Sequence, residues 1–216
     1  MFKSYYSQSR IIRKYDETYV QKCYMSIFGI KWYFISAFFW NYPYVADPKE
    51  RLKREINFFL ERFSDNIIMP KLIDIDLKEL CIIREFIKGE EIDVDNIGIV
   101  GKGLREIHDA GYVLGDTKIS NFVVVNDKLA VIDAEQSLKS TDSYYRAWDL
   151  LVLFLFLSYK VSNLNQFQLM ARKFLEEYKV DKSVVRDFFN IKNINLMGLY
   201  PPTHIYILKN LMSNFY

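Results

Sequence analysis

The chain has 216 residues, half of them hydrophobic, enough to bury a core in one domain or two small lobes, and this excludes a disordered segment. A formal net charge of +2 with no run of like charges gives no nucleic-acid signal from electrostatics. The start, MFKSYYSQSR, is too polar for a signal peptide, and the expected location is cytoplasmic. Cys23 and Cys81 sit singly in apolar, strand-like segments without C-x-x-C spacing, and read as buried thiols kept reduced in such a compartment.

Residues 10–25, RIIRKYDETYVQKCYM, are two short runs rich in Ile, Tyr, Val and Thr around a DE turn, the pattern of a β-hairpin. The aromatic stretch 26–42, SIFGIKWYFISAFFWNY, falls short of a membrane span and carries Lys31. A peripheral membrane contact through residues 28–40, made by an interfacial helix, is one reading of it. ADPKERLKREINFFLERF opens a helix: Asp47 suits the N-cap, Pro48 the first helical position and Glu50 a capping box. Leu52, Ile56, Phe59, Leu60 and Phe63 recur along it as one apolar stripe.

IIMPKLIDIDLKELCIIREFIKGEEID continues as β-like segments to Gly89, a connection between lobes. Ile97, Val100, Leu104 and Ile107 define a helix that stops at Gly111. Next come the loop VLGDTKISNF, strands FVVV and LAVID joined by an NDK turn, and a mostly helical remainder. In it, LLVLFLFLSY (150–159) reads as a core helix, and residues 165–216 offer no motif.

Asp116 and Asn121 lie in a stretch with neither helical nor strand periodicity, where both types also close turns. Asp133 is a sharper signal, because an acid directly after LAVI is costly to bury without a cation, so a metal or a lysine is expected nearby. Three hard oxygen donors able to converge suggest a magnesium and phosphate site. Lys22 shares the Val20 side of its strand, as that cation or as a snorkelling edge lysine. Glu55 borders the apolar stripe of its helix, as the counterpart of Lys22 or as a solvated flank residue.

The order of these residues, a lysine strand, a glutamate helix, a linker, a helix, D-x-x-x-x-N, a hairpin and a second Asp, resembles the protein kinase superfamily. Over about residues 10–160 the chain is similar to a minimal, atypical member, near the RIO-type kinases, the small kinase subunit of the KEOPS complex and the lipopolysaccharide heptose and Kdo kinases. YVQK matches the lysine strand, LKREINFFLERF the glutamate helix, IIREFIKGEEI the hinge, LREIHDAGYVLGDTKISNFVV the catalytic loop, AVIDAE the D-F-G segment and RAWDLLVL the A-x-D-L segment.

The resemblance implies an α+β, bilobal protein-kinase-like fold: a small β-rich N-lobe with one main helix over residues 1–88 and a mostly helical C-lobe over 89–216, with a hinge near 85–93. It implies ATP and Mg²⁺ as cofactors, with Lys22 on the α and β phosphates, Glu55 fixing its ammonium, and Glu85 and Phe86 at the ATP-binding hinge. Asn121 and Asp133 would bind the metal, Asp116 would accept or orient the acceptor's proton, and Asp149 would brace the catalytic loop. Lys118 resembles the lysine of D-x-K, which contacts the transferred phosphate in Ser/Thr protein kinases, and a solvated loop lysine is the other reading of it.

The chain also departs from the pattern. No glycine precedes Gly29, so the Gly-rich phosphate loop is missing or replaced. Leu114 and Gly115 replace the His and Arg of H-R-D, Ala134 and Glu135 the Phe and Gly of D-F-G, and Arg84 stands where the hinge is preceded by an apolar residue. Only fifteen residues separate Asp133 from Asp149, so the substrate platform is short. The leading expectation is an ATP- and Mg²⁺-dependent serine/threonine protein kinase; the alternatives are a sugar or glycolipid kinase and a pseudokinase binding module. His108 and His204 are expected to be structural.

Overall fold

A computed structural model describes residues 8–14 and 17–213 of the chain. Strands β1 (Ser9–Lys14) and β2 (Glu17–Cys23) form the expected antiparallel hairpin, while Asp16 of its DE turn lies outside the described residues. A 3-10 turn at Ile27–Ile30 leads into α1 (Lys31–Phe38), and α2 (Pro48–Phe59) follows. Then come β3 (Ile67–Ile68), β4 (Leu72–Asp76) and β5 (Cys81–Glu85). The second half holds α3 (Ile97–Asp109), β6 (Tyr112–Val113), β7 (Phe122–Val125), β8 (Lys128–Val131), β9 (Leu138–Lys139), α4 (Ser143–Lys160), α5 (Leu164–Tyr178), α6 (Lys182–Phe188), α7 (Ile194–Met197) and α8 (Pro202–Ser213). This is the α+β arrangement that the sequence led us to expect, a β-rich first half with one main helix and a mostly helical second half.

The first sheet runs β1-β2-β5-β4, so Lys22 sits on an interior strand and is buried rather than snorkelling from an edge. Antiparallel register sets Cys23 opposite Cys81, and the two form a disulfide. This corrects the expectation of free thiols: cross-strand register brings together two residues that lie 58 apart in sequence and show no spacing motif.

Helix α2 starts as its sequence dictates, with Asp47 accepting from the N–H groups of Lys49 and Glu50 and with Pro48 in the first turn. Its buried face differs from the expected stripe. Arg51, Leu52, Glu55, Phe58 and Phe59 are buried, whereas Leu60 is exposed. Two charged residues belong to the inner face, so an apolar stripe alone misplaces its centre.

The core of the second half is built on α4, which is buried over most of its length, as expected for a core helix. Among the described residues no helix is long and apolar enough to cross a membrane. α3 packs backbone-close on α5: a Cβ on Gly101 would lie 2.4 Å from the carbonyl oxygen of Phe174. α3 ends before Gly111, whose φ of +80° turns the chain out of the helix and into β6.

Candidate active site

Strand β2 delivers Lys22 to the centre of a buried cluster of carboxylates. Its Nζ lies 2.6 Å from Glu55 Oε2 of α2, 2.9 Å from Asp133 Oδ1 just beyond β8, and 3.4 Å from Glu135 Oε2. Burial acts most strongly on this ammonium and disfavours its charge, but Asp133, Glu135 and Glu55 together outweigh burial and hold its pKa above the ordinary lysine value. Lys22 is therefore charged.

The acids divide unequally around it. Burial pushes the Glu55 carboxyl up to about 7, only partly opposed by Lys22. Its Oε2 receives both Lys22 and the Tyr24 hydroxyl, at 2.6 and 2.5 Å, while Oε1 is buried with no hydrogen-bond partner among the described residues. For Asp133 burial works in the opposite sense to its two lysine neighbours, Lys22 and Lys118, and the lysines prevail, so its carboxyl stays below the usual range.

Glu135 was read from sequence only as a replacement for glycine, yet it ties the cluster together. It accepts from Trp32 Nε1 of α1 at 2.7 Å, from Arg51 Nη1 of α2 at 3.1 Å and from Gln8 Nε2 at 2.7 Å. Arg51, one helical turn before Glu55, was missed as well. An arginine and a glutamate four apart on an inner helix face were the available signal. Glu55, Asp133 and Glu135 have carboxylate oxygens within 4.8 Å of one another, the spacing of a metal site, but Lys22 already lies among them.

The second half of the site is the loop between β6 and β7. Asp149 of α4 is fully buried beneath it and accepts from the backbone N–H of Leu114 at 2.7 Å and of Gly115 at 2.6 Å. His108 holds Asp149 from the far side: Nε2 lies 3.0 Å from Asp149 Oδ2, and Nδ1 lies 2.7 Å from the Tyr178 hydroxyl. Burial lowers the pKa of His108 despite Asp149, so the ring is neutral, with Nε2–H donating to the acid and Nδ1 accepting from Tyr178. Gly115 takes a φ of +73°, and a Cβ there would lie 2.3 Å from the Tyr42 ring, so only glycine fits.

Above this support, Asp116 Oδ2 lies 3.1 Å from Lys118 Nζ. Burial raises the Asp116 pKa, with Lys118 opposing. Asn121 donates its Nδ2 to the carbonyl of Asp116 at 2.7 Å, which leaves its Oδ1 without a partner among the described residues. Asp133 Oδ2 is likewise outside the contacts made by Oδ1. An amide oxygen and a carboxylate oxygen, hard donors both, fit a magnesium ion that completes its shell with phosphate and water.

Two expected residues stand apart from this assembly. Glu85, at the end of β5, is exposed and accepts from the Lys71 N–H, while its carbonyl accepts from Arg84 Nη1. The N–H of Phe86 donates to the Thr18 carbonyl at 3.3 Å. Arg84 is buried and donates to the Ile132 carbonyl at 2.7 Å, which gives a charged residue a partner at an otherwise apolar position.

A lysine, a glutamate and two Asp-bearing loops converge between a β-rich and a helical half, an arrangement similar to that of atypical protein-kinase-like proteins. Two curated proteins are similar to this chain in sequence. The probable bifunctional tRNA threonylcarbamoyladenosine biosynthesis protein of Methanobrevibacter smithii is 31% identical over 109 residues, 49% of this chain and 20% of that protein. The KEOPS complex subunit Bud32 of Pyrococcus abyssi is 27% identical over 96 residues, 39% of this chain and 44% of that one. The match thus spans less than half the length of either curated relative. A solved structure of WaaP in complex with acyl carrier protein has a TM-score of 0.49 at 12% identity, covering 96% of this chain and 85% of that one. No family model matches the chain.

Proposed function

We propose that this chain is an ATP- and Mg²⁺-dependent phosphotransferase acting on an alcohol, with its lobes meeting near residues 88 and 89. The observation that carries the reading is the contact of Lys22 with both Glu55 and Asp133, at 2.6 and 2.9 Å, from elements 33 and 111 residues away. A lysine so held can turn from Asp133 to the α and β phosphates while Glu55 keeps its ammonium in place.

Asn121 and Asp133 would hold Mg²⁺, which neutralises charge on the phosphates when bound. Asp116 orients the acceptor hydroxyl and takes its proton, and its raised pKa moves it toward the working range of a general base. The acceptor oxygen bonds to the γ-phosphorus as the bond to the β–γ bridging oxygen breaks. The products are the phosphate ester, ADP and the proton left on Asp116. Lys118, beside Asp116, meets the charge on the phosphoryl group in transit.

The D-x-K pairing of Asp116 with Lys118 supports a protein serine or threonine hydroxyl as acceptor. A separate observation supports the lipid-linked reading: a cavity of about 340 Å³ with mainly apolar walls adjoins Asp116 and Lys118. Incubation with γ-labelled ATP, magnesium, and protein and alcohol acceptors tests the function. Asp116→Ala should lose about 100- to 10,000-fold in transfer. Turnover unchanged in that variant would overturn the mechanism, and nucleotide binding without transfer in the wild type would make the chain a pseudokinase.

A further inference from the structure

The cavity beside Asp116 lies between α1 and α4. Ile35 and Phe39 contribute from the α1 side, Val152 and Leu155 from α4, and Leu199 from the turn after α7. Its aromatic polar atoms are already engaged. Trp32 Nε1 donates to Glu135, Trp148 Nε1 donates to the Tyr44 hydroxyl at 2.9 Å, and that hydroxyl donates to the Gly115 carbonyl at 2.6 Å. The wall therefore offers an occupant dispersion and burial but almost no hydrogen bonds. The charged groups that reach the cavity are Lys31, Asp116 and Lys118, all beside the proposed reaction centre.

The exposed side of α1 and its flanking residues is rich in large apolar side chains. Ile30, Phe34, Phe38 and Trp40 are exposed, and no Asp or Glu occurs between Glu17 and Asp47. Lys31 is the one charge of this helix, and an exposed side rich in large apolar residues beside a basic but no acidic charge has the composition of an element that lies at an interface. One side of α1 thus faces outward with the composition of an interfacial element, and the other lines a hydrocarbon cavity that ends on Asp116.

We propose that this cavity is the acceptor subsite and that the acceptor is an alcohol carrying an aliphatic chain, seated with its chain between α1 and α4 and its hydroxyl at Asp116. The proposal rests on the phosphotransfer reading for its chemistry but on the cavity for its specificity. The step balances as written above, with an alkyl phosphate as the ester and Mg-ATP as the phosphoryl donor. A volume of about 340 Å³ lies in the range of small-ligand sites and suits a medium chain.

The test uses 1-octanoylglycerol below its critical micelle concentration as the probe and glycerol as the chain-free control. Uptake is measured by calorimetry on the full chain, and transfer is followed with γ-labelled ATP. The expected result is saturable binding of the probe, weakened about tenfold or more in Ile35→Gln and in Leu199→Gln, which place an amide in the hydrocarbon wall. Leu199 is nearly half exposed, so its substitution keeps the test valid if Ile35→Gln fails to fold. Transfer should favour the probe over glycerol at least tenfold.

Binding that is absent, or equal in wild type and both variants, overturns the proposal. So does a chain that labels a Ser-Phe peptide but not the probe, which would give the cavity to a protein acceptor. A dimer dissociated by Leu199→Gln, with no probe uptake, would give it to a second copy and overturns the proposal too. Variant-sensitive uptake without transfer to any alcohol would sink the phosphotransfer reading while sustaining the cavity as a hydrocarbon site.

Discussion

The lysine cluster and the loop between β6 and β7 hold buried ionisable groups by opposite means. Around Lys22, three acids, Glu55, Asp133 and Glu135, face two bases, Lys22 and Arg51, and the charge on Lys22 persists because the acids are there. Beneath the loop, Asp149 is a single buried carboxylate held by two backbone N–H groups and a neutral histidine, with no countercharge in contact among the described residues. The first arrangement stands or falls on the presence of each partner. The second is fixed by the backbone, and Asn121 Oδ1 and Asp116 Oδ1 above it make no hydrogen bond among the described residues.

Removing one charge should therefore damage the cluster most. Lys22→Met leaves buried carboxylates uncompensated, and loss of one partner from a buried ion pair costs about 3–5 kcal/mol. Urea unfolding should show that loss, and a midpoint equal to wild type would mean the cluster is solvated rather than mutually stabilised. Asp149→Asn should cost less, about 1.5–3 kcal/mol, because charge-assisted hydrogen bonds are weakened while the neutral shell stays in place. A larger loss than in Lys22→Met would reverse the comparison.

These local rules explain what was legible in the sequence. Asp47 and Pro48 announce the start of α2, Gly111 the end of α3, and Asp133 announces a cation by following a buried strand. Those signals are short-range or carried by one costly residue. Glu135 was not legible, because its meaning lies in Trp32 and Arg51, 103 and 84 residues away. The Cys23–Cys81 pairing was hidden for the same reason, since strand register is set by tertiary packing. The inner face of α2 was misjudged because Arg51 and Glu55 are buried as a paired network that an apolar stripe does not count.

The smallest expected effects are in pH dependence, where the two regions should differ in sign. The Glu55 carboxyl moves from an ordinary 4.5 up to about 7 in the folded chain, so between these values the folded state keeps a proton that the unfolded chain has released. Its stabilisation is full below about 4.5 and is lost as pH rises to about 7. His108 is shifted below its ordinary 6.5, so the unfolded chain binds the extra proton and stability rises as pH approaches 6.5. The two slopes oppose each other in the wild type. Unfolding between pH 5 and 7 should show stability rising with pH in Glu55→Gln and falling in His108→Gln; like slopes in both variants would contradict the contrast.

The central claim is that groups on β2, on α2, after β8 and in the loop before β7 meet around one metal-bound nucleotide. Isothermal titration calorimetry with ATP measures it directly. Wild-type protein should bind ATP with magnesium, lose that binding in EDTA, and lose its magnesium-dependent part in Asp133→Ala. Binding of equal strength with and without magnesium, or unchanged in Asp133→Ala, would contradict it.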